Sequence, residues 1–233
     1  MSRLEYEIRR RHVASMVKYL SEKREGLHVT DLVYGCPRYA SYVVQARKNN
    51  IPRNIDEGGL LRLSMGKLLD TLVVGDWHHV DLAMGGKFVG QVDDIFYDRD
   101  DDALVIIDKK TVVEKPPREA HDHYIRQVQI YAYMLRNGEI LGCEVGSVER
   151  LRELAASAKL KGAVLYVDVS VSTKTMVSDV KVFDIDDKSL ETTGRFLAWM
   201  TEAIQSPRPE AVPSWFCHYC PIMNECWGGI DVE

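Results

Sequence analysis

A chain of 233 residues, 45% hydrophobic and 9% aromatic, has the material for one globular domain with a full core, which excludes a disordered or fibrous protein. Its net charge of −5 gives no global attraction to nucleic acid, so any such partner must be met by a local basic surface. No apolar run approaches bilayer length, and the N-terminus, with Arg9, Arg10 and Arg11 amid polar residues, lacks the apolar stretch of a signal peptide, so a soluble, cytoplasmic protein with no membrane partner is expected.

Residues 2–24 read as a basic helix, and a second helical stretch runs from about Thr30 towards Lys48, interrupted at Cys36 and Pro37. After a break over residues 49–59, the apolar positions Leu61, Met65, Leu68, Leu69 and Leu72 recur at helical spacing and predict a helix over 60–74, with Gly66 and Asp70 on one face and Gly75 as its stop. His78 and His79 fall on an extended stretch with no role assigned, as for His12 and His28. Two extended runs, 87–97 and 103–111, flank Asp98, Arg99, Asp100, Asp101 and Asp102, residues that favour turns, and together they predict a hairpin. A helix over 121–136, a strand pair over 163–170 and 176–185, and a long helix over 189–204 follow. Beyond Ser206 a proline-containing linker leads to a Cys-rich end from Trp215 to Trp227.

Counting outward from a turn centred between Asp100 and Asp101 sets Asp93 opposite Asp108, on one face of the hairpin. Alternation adds Lys110 to that face, with Ile95, Tyr97, Leu104 and Ile106 filling it towards the turn. The reverse face, with Phe88, Val92, Phe96, Val105 and Ile107, is also apolar, so both sides are expected to lie under helices. Two carboxylates held this close repel unless a divalent cation sits between them, and hard oxygen donors suit Mg²⁺ or Mn²⁺. Such an ion with a lysine beside it is sufficient for phosphodiester hydrolysis. The same three residues read equally well as solvated strand ends with a surface ion pair.

Gly90-Gln91-Val92-Asp93 followed by Ile106-Ile107-Asp108-Lys109-Lys110-Thr111 resembles motifs two and three of the RecB-type PD-(D/E)xK nucleases. Upstream, Gly66-Lys67-Leu68-Leu69-Asp70 is similar to the family's Gly-x-x-x-His motif, with Asp70 standing where the histidine metal ligand is usual. Downstream, Gln127-Val128-Gln129-Ile130-Tyr131 is similar to the Gln-x-x-x-Tyr motif, whose two residues, by resemblance, line the DNA path. On periodicity alone Tyr131 fits the apolar stripe of Tyr124, Val128 and Leu135 and belongs to the core.

Cys217, Cys220 and Cys226, with the distant Cys36, supply four thiolates and leave Cys143 over. Spacing alone leaves zinc and iron open, and composition favours structural zinc, with His218, His121 or His123 as alternative ligands. One N-terminal cysteine plus a C-terminal C-x2-C-x5-C around RecB-type motifs, however, resembles the iron-sulfur nucleases, among them the CRISPR-associated Cas four family. The resemblance implies a [4Fe-4S] cluster, ahead of [2Fe-2S], on Cys36, Cys217, Cys220 and Cys226, clasping the two ends of the chain.

The fold class expected is α/β, a restriction-endonuclease-like core with a central mixed sheet flanked by helices, in one nuclease domain. Within it, residues 1–59 form an N-terminal helical part, 60–205 the core and 206–233 the iron-sulfur segment. Catalysis falls to Asp93, Asp108 and Lys110, metal binding to Asp70, Asp93 and Asp108, and DNA contact to Gln127 and Tyr131. Arg9, Arg10, Arg11, Arg38, Arg47, Lys48 and Arg62 supply candidate basic residues, and Tyr34, Tyr39 and Tyr42 candidate stacking surfaces. The resemblance implies a Mg²⁺- or Mn²⁺-dependent exonuclease acting on single-stranded DNA from the 5′ end in CRISPR spacer acquisition, beside the integrase proteins. The alternatives are a similar nuclease of viral or cellular recombination and repair, a DNA-binding scaffold with a decayed site, and a zinc-stapled protein of unrelated function.

Overall fold

The computed structural model describes residues 26–49, 57–113, 115–168 and 178–227, so the expected helix over 2–24 and the turn between the last two strands lie outside the described residues. In chain order the elements are β1 (Leu27–His28), α1 (Val29–Leu32), α2 (Pro37–Lys48), α3 (Glu57–Asp70), β2 (Trp77–Met84), β3 (Phe88–Asp98), β4 (Ala103–Val112) and α4 (Asp122–Asn137). Next come β5 (Glu139–Gly142), α5 (Val148–Ser157), β6 (Lys159–Asp168), β7 (Ser178–Ile185), α6 (Asp187–Ile204), a 3-10 turn (Trp215–Tyr219) and α7 (Met223–Trp227).

The strands form one mixed seven-stranded sheet in the order β5-β2-β3-β4-β6-β7, with β1 parallel to β3. The pairs β2–β3, β3–β4 and β6–β7 are antiparallel, while β4–β6 is parallel, which requires a crossover. That crossover carries α4, whose Val128, Ile130, Tyr131, Ala132, Met134 and Leu135 are buried on the sheet. Leu104 and Ile106 of β4 and Val164 and Tyr166 of β6 meet it, all four fully buried, and burial of each such side chain stabilises the fold by about 1.5–3 kcal/mol.

The hairpin register is the one counted from the acidic turn, with Ile95 paired to Ile106 and Tyr97 to Leu104. The break between α1 and α2 also falls where Pro37 places it. Cys36 is extended (φ −111°, ψ 108°), as a residue before proline prefers, and Pro37 opens α2 at a position where no N–H is needed.

Three expectations are corrected. Helix α3 ends at Asp70, not near Val74, because side chains from the sheet outcompete its periodicity. Lys109 Nζ donates to the carbonyls of Asp70 (3.1 Å) and Leu72 (2.8 Å), and Asp94 Oδ1 accepts the N–H groups of Val74 (3.1 Å) and Gly75 (3.2 Å). Second, the reverse face of the hairpin is only partly covered among the described residues. Val105, Ile107, Ala163 and Leu165 cluster there, but Phe96, Val180 and Val182 remain exposed. Third, strict alternation fails in β3, since Val92 and Ile95, three residues apart, both join the α4-side core, and Trp77 and Val80 do the same in β2. Between the latter pair His79 adopts φ +48°, so the two neighbouring strands change face together beside Asp93 and Asp94. Strand β5 and helix α5 complete the edge beyond the sequence-expected elements; Ser147 caps α5 by accepting the N–H of Arg150 at 3.2 Å.

Candidate active site

The site forms where β3 and β4 part. The paired register stops at Asp94 and Ile107, one step short of Asp93 and Asp108, and there the Asp93 Oδ2 accepts the Lys109 backbone N–H at 2.6 Å. Asp108 is 1% exposed and turns both oxygens to Lys110 Nζ, at 3.0 and 2.9 Å. Lys110 Nζ also donates to Gln127 Oε1 (3.2 Å) and lies 4.9 Å from the centre of the Tyr124 ring. Gln127 Nε2 in turn donates to the Tyr131 hydroxyl at 3.3 Å. Helix α4 brings Gln127 and Tyr131 together because residues four apart share a face, and Gly90 makes room for the Tyr131 ring, since a Cβ there would lie 2.7 Å from Tyr131 Cε1.

Electrostatics follow from this enclosure. Burial first, and then the charge of Asp108, raise the Asp93 carboxyl to about 7, with Lys110 opposing. Burial raises Asp108 as well, against the pull of Lys110. Burial alone would lower Lys110, but Asp108 and Asp93 reverse the sign and hold it well above the ordinary lysine range, so it stays an ammonium. Burial and the Asp93 and Asp108 carboxylates push the Tyr131 phenol far up, and it stays neutral. Asp70, at the end of α3, sits close enough that its charge raises both Asp93 and Asp108.

Asp93, Asp108, Lys110, Gln127 and Tyr131 are thus gathered in one place, and Asp70 lies near enough for its charge to act on the two carboxyls. Three carboxylates whose charges act on one another, with the Lys110 ammonium beside Asp108, fit a divalent cation by the chemistry of the donors, hard oxygens around buried negative charge. The buried Asp108 Oδ2 sharpens that fit, because the Lys110 ammonium beside it forms an ion pair but no directed hydrogen bond to that oxygen. Two residues to which the sequence assigned no role support the site. Lys109 Nζ, besides capping α3, lies 2.9 Å from Asp94 Oδ2, and the fully buried Asp94 also holds His78 Nδ1 at 3.0 Å. This pair folds the α3–β2 connection back on the sheet and sets Asp70 over it. An Asp-Asp and a Lys-Lys doublet was the available signal, because alternation places only one member of each on the catalytic face.

The cysteines occupy a second place. Burial raises the Cys220 thiol, and Cys226, Cys36 and Cys217 lie near enough to add their charge to the effect. Cys143 stands apart, its Sγ 3.5 Å from Gly146 O. Protein contacts join the segment around Tyr34 to the segment around Phe216. Tyr34 stacks on Phe216 at 3.6 Å, Tyr39 meets the same ring edge-on at 4.9 Å, and Arg38 donates from N to Glu210 O and from Nε to Pro209 O. Tyr34, Tyr39 and Arg38, read from sequence as a nucleic-acid surface, are therefore engaged in this staple, and Arg47 is paired with Asp31. Arg9, Arg10, Arg11 and the Arg62 side chain lie outside the described residues.

Residues 39–227 match the model of the PD-(D/E)XK nuclease superfamily. The chain belongs to that superfamily. Its members are generally metal-dependent nucleases, which makes DNA the substrate class and divalent ions the cofactor class. A solved structure titled "Crystal structure of SSO0001" is similar in fold, with a TM-score of 0.50 and 19% identity over 94% of each chain. No curated protein matches the chain. Among the described residues, no helix is long and apolar enough to cross a membrane.

Proposed function

We propose that this superfamily member is a DNA exonuclease that digests single-stranded DNA from the 5′ end, with Asp70, Asp93 and Asp108 holding Mg²⁺ or Mn²⁺ and Lys110 acting on the phosphate. The observation that carries the reading is the buried Asp93–Asp108–Lys110 constellation, where two raised carboxyls share one locked ammonium. The cation, when bound, supplies Lewis acidity towards a phosphate oxygen and lowers the pKa of water. Lys110 Nζ, held by Asp108 and Gln127, would stabilise the negative charge that builds at phosphorus. Gln127 Oε1 accepts a further hydrogen bond from Lys110 Nζ, and the neutral Tyr131 fixes Gln127. Asp93 is steadied by the Lys109 N–H, so its orientation follows the backbone of β4.

The charge that Cys36, Cys217 and Cys226 exert on Cys220 supports a metal clasp there, and the order of the nuclease motifs between them favours a [4Fe-4S] cluster over zinc. Together these support a role like that of the Cas four family, trimming ends in CRISPR spacer acquisition beside integrase proteins in the cytoplasm. The test is digestion of 5′- and 3′-labelled single strands and duplexes with Mg²⁺ or Mn²⁺. Release of short 5′-labelled products by the wild type and none by Lys110→Ala is expected. Intact substrate with both ions overturns the enzyme reading, and release of the 3′ label first overturns the polarity.

A further inference from the structure

Beside the nuclease centre, and not used by it, two imidazoles lie face to face. His78, 3% exposed, and His79 stack with ring centroids 3.8 Å apart. Adjacent residues of a strand ordinarily point to opposite faces. The positive φ of His79 brings its ring back beside His78, a conformation that β-strand residues rarely adopt. A carboxylate is delivered to the same spot by the segment after β5. The Glu144 N–H donates to His78 O at 2.9 Å and the His78 N–H to Val145 O at 3.3 Å, a short antiparallel bridge that sets Glu144 Oε2 3.0 Å from His79 Nδ1. His78, His79 and Glu144 each offer a ligand atom within 4.8 Å of the other two.

The outer partners complete the pattern. An imidazole that binds a metal through one nitrogen is usually held at the other by a carboxylate, which fixes the tautomer and the ring plane. Asp94 Oδ1 does this at His78 Nδ1, 3.0 Å away. Asp70 Oδ2 lies 3.1 Å from the buried His79 Nε2, an ion-pair contact whose angle falls outside that of a hydrogen bond.

We propose that His78, His79 and Glu144 form a second cation site, for a borderline transition ion such as Zn²⁺ or Co²⁺, separate from the hard-oxygen set of Asp93 and Asp108. Two imidazoles and one carboxylate select such ions over Mg²⁺, and three protein ligands leave a position for water. Binding exchanges the His79–Glu144 contact for two bonds to the ion, ties residues 143–146 to β2, and fixes Asp70 through His79. Asp70 bears on both sites, so the ion has a positioning role towards the nuclease centre. The site rests on its own geometry and holds whether or not the chain cleaves DNA.

The test is a Co²⁺ titration of the full chain carrying Asp108→Asn, purified anaerobically and followed by visible absorption. One equivalent is expected to give ligand-field bands in the difference spectrum against the cobalt-free protein, without thiolate-to-cobalt charge transfer. Adding Glu144→Ala is expected to weaken binding at least tenfold, and His79→Ala to do the same. Glu144 has 64% of its side chain exposed, so its replacement leaves the fold intact even where a histidine variant fails to fold. Absence of ligand-field bands overturns the proposal, as does binding unchanged within twofold in Glu144→Ala, or a charge-transfer band that puts the ion on the cysteines.

Discussion

Replacing Asp93 by asparagine should stabilise the metal-free protein while abolishing its chemistry. The Asp93 carboxyl is raised from its ordinary 3.8 to about 7 by burial and by Asp108. Between those values the folded chain keeps a proton that the unfolded chain has released, so the wild type loses stability as pH rises from about 4 to about 7, and the loss is complete above that. At about 1.4 kcal/mol per pH unit, the gap amounts to on the order of 4 kcal/mol. Water at the rim of the site screens part of this, and a gain of about 2–4 kcal/mol for Asp93→Asn at pH 8 is expected, roughly 5–15 °C in Tm for a chain of this size. The amide oxygen introduced by the substitution would still accept the Lys109 N–H, so the fold keeps that bond. Thermal melts in chelator at pH 5 and pH 8 measure the effect, which should be smaller at pH 5 and full at pH 8. Mn²⁺ at pH 8 should raise the wild-type Tm and leave the variant nearly unmoved. If Asp93→Asn is no more stable than wild type at pH 8, the two carboxylates do not repel as described.

Gln127→Leu cuts the link from Lys110 to Tyr131 and should lower kcat about ten- to hundredfold with KM nearly constant; steady-state rates on single-stranded DNA check this, and an unchanged kcat would show that Lys110 needs no such support. Gly90→Ala drives a Cβ to 2.7 Å from Tyr131 and 2.8 Å from Val29, so urea unfolding should show a loss of about 1–3 kcal/mol, and a neutral result would contradict the close packing of that ring. Cys220→Ser should lose iron, sulfide and brown colour on anaerobic purification, whereas Cys143→Ser keeps all three; the reverse pattern would move the cluster to other ligands.

The hairpin was legible because everything that sets it is local. A run of aspartates marks the turn, a period of two marks the strands, and counting from one to the other yields the observed pairing of Ile95 with Ile106. The helix after it was legible for the same reason, whereas β5 and α5 were not among the expected elements. What periodicity could not show is which groups compete for a helix end. Residues 60–74 carry one unbroken helical pattern, yet α3 stops at Asp70, because Lys109 and Asp94 take the carbonyls and N–H groups that another turn would have used among themselves. Both partners lie at least 19 residues away in the chain, and no local pattern marks them.

The histidines were illegible for a sharper reason. Alternation assigns His78 and His79 to opposite faces, and only the positive φ of His79, at a residue type with no Gly-like signature, sets them side by side. That same irregularity bears on Asp70, which stands where the resembled motif carries a histidine. A third carboxylate beside Asp93 and Asp108 adds repulsion that a neutral imidazole would not. Here an imidazole is nevertheless present one contact away. Burial disfavours its charge, but Glu144 and Asp70 outweigh burial and raise the His79 pKa, while Lys110 supplies a positive charge at Asp108 and Lys109 one at Asp94. Each acid of the cluster except Asp93 thus has its own cationic or imidazole neighbour. Among the described residues Asp93 accepts the Lys109 backbone N–H and feels the Lys110 charge only in common with Asp108, which makes it the carboxylate with the most to gain from a bound cation.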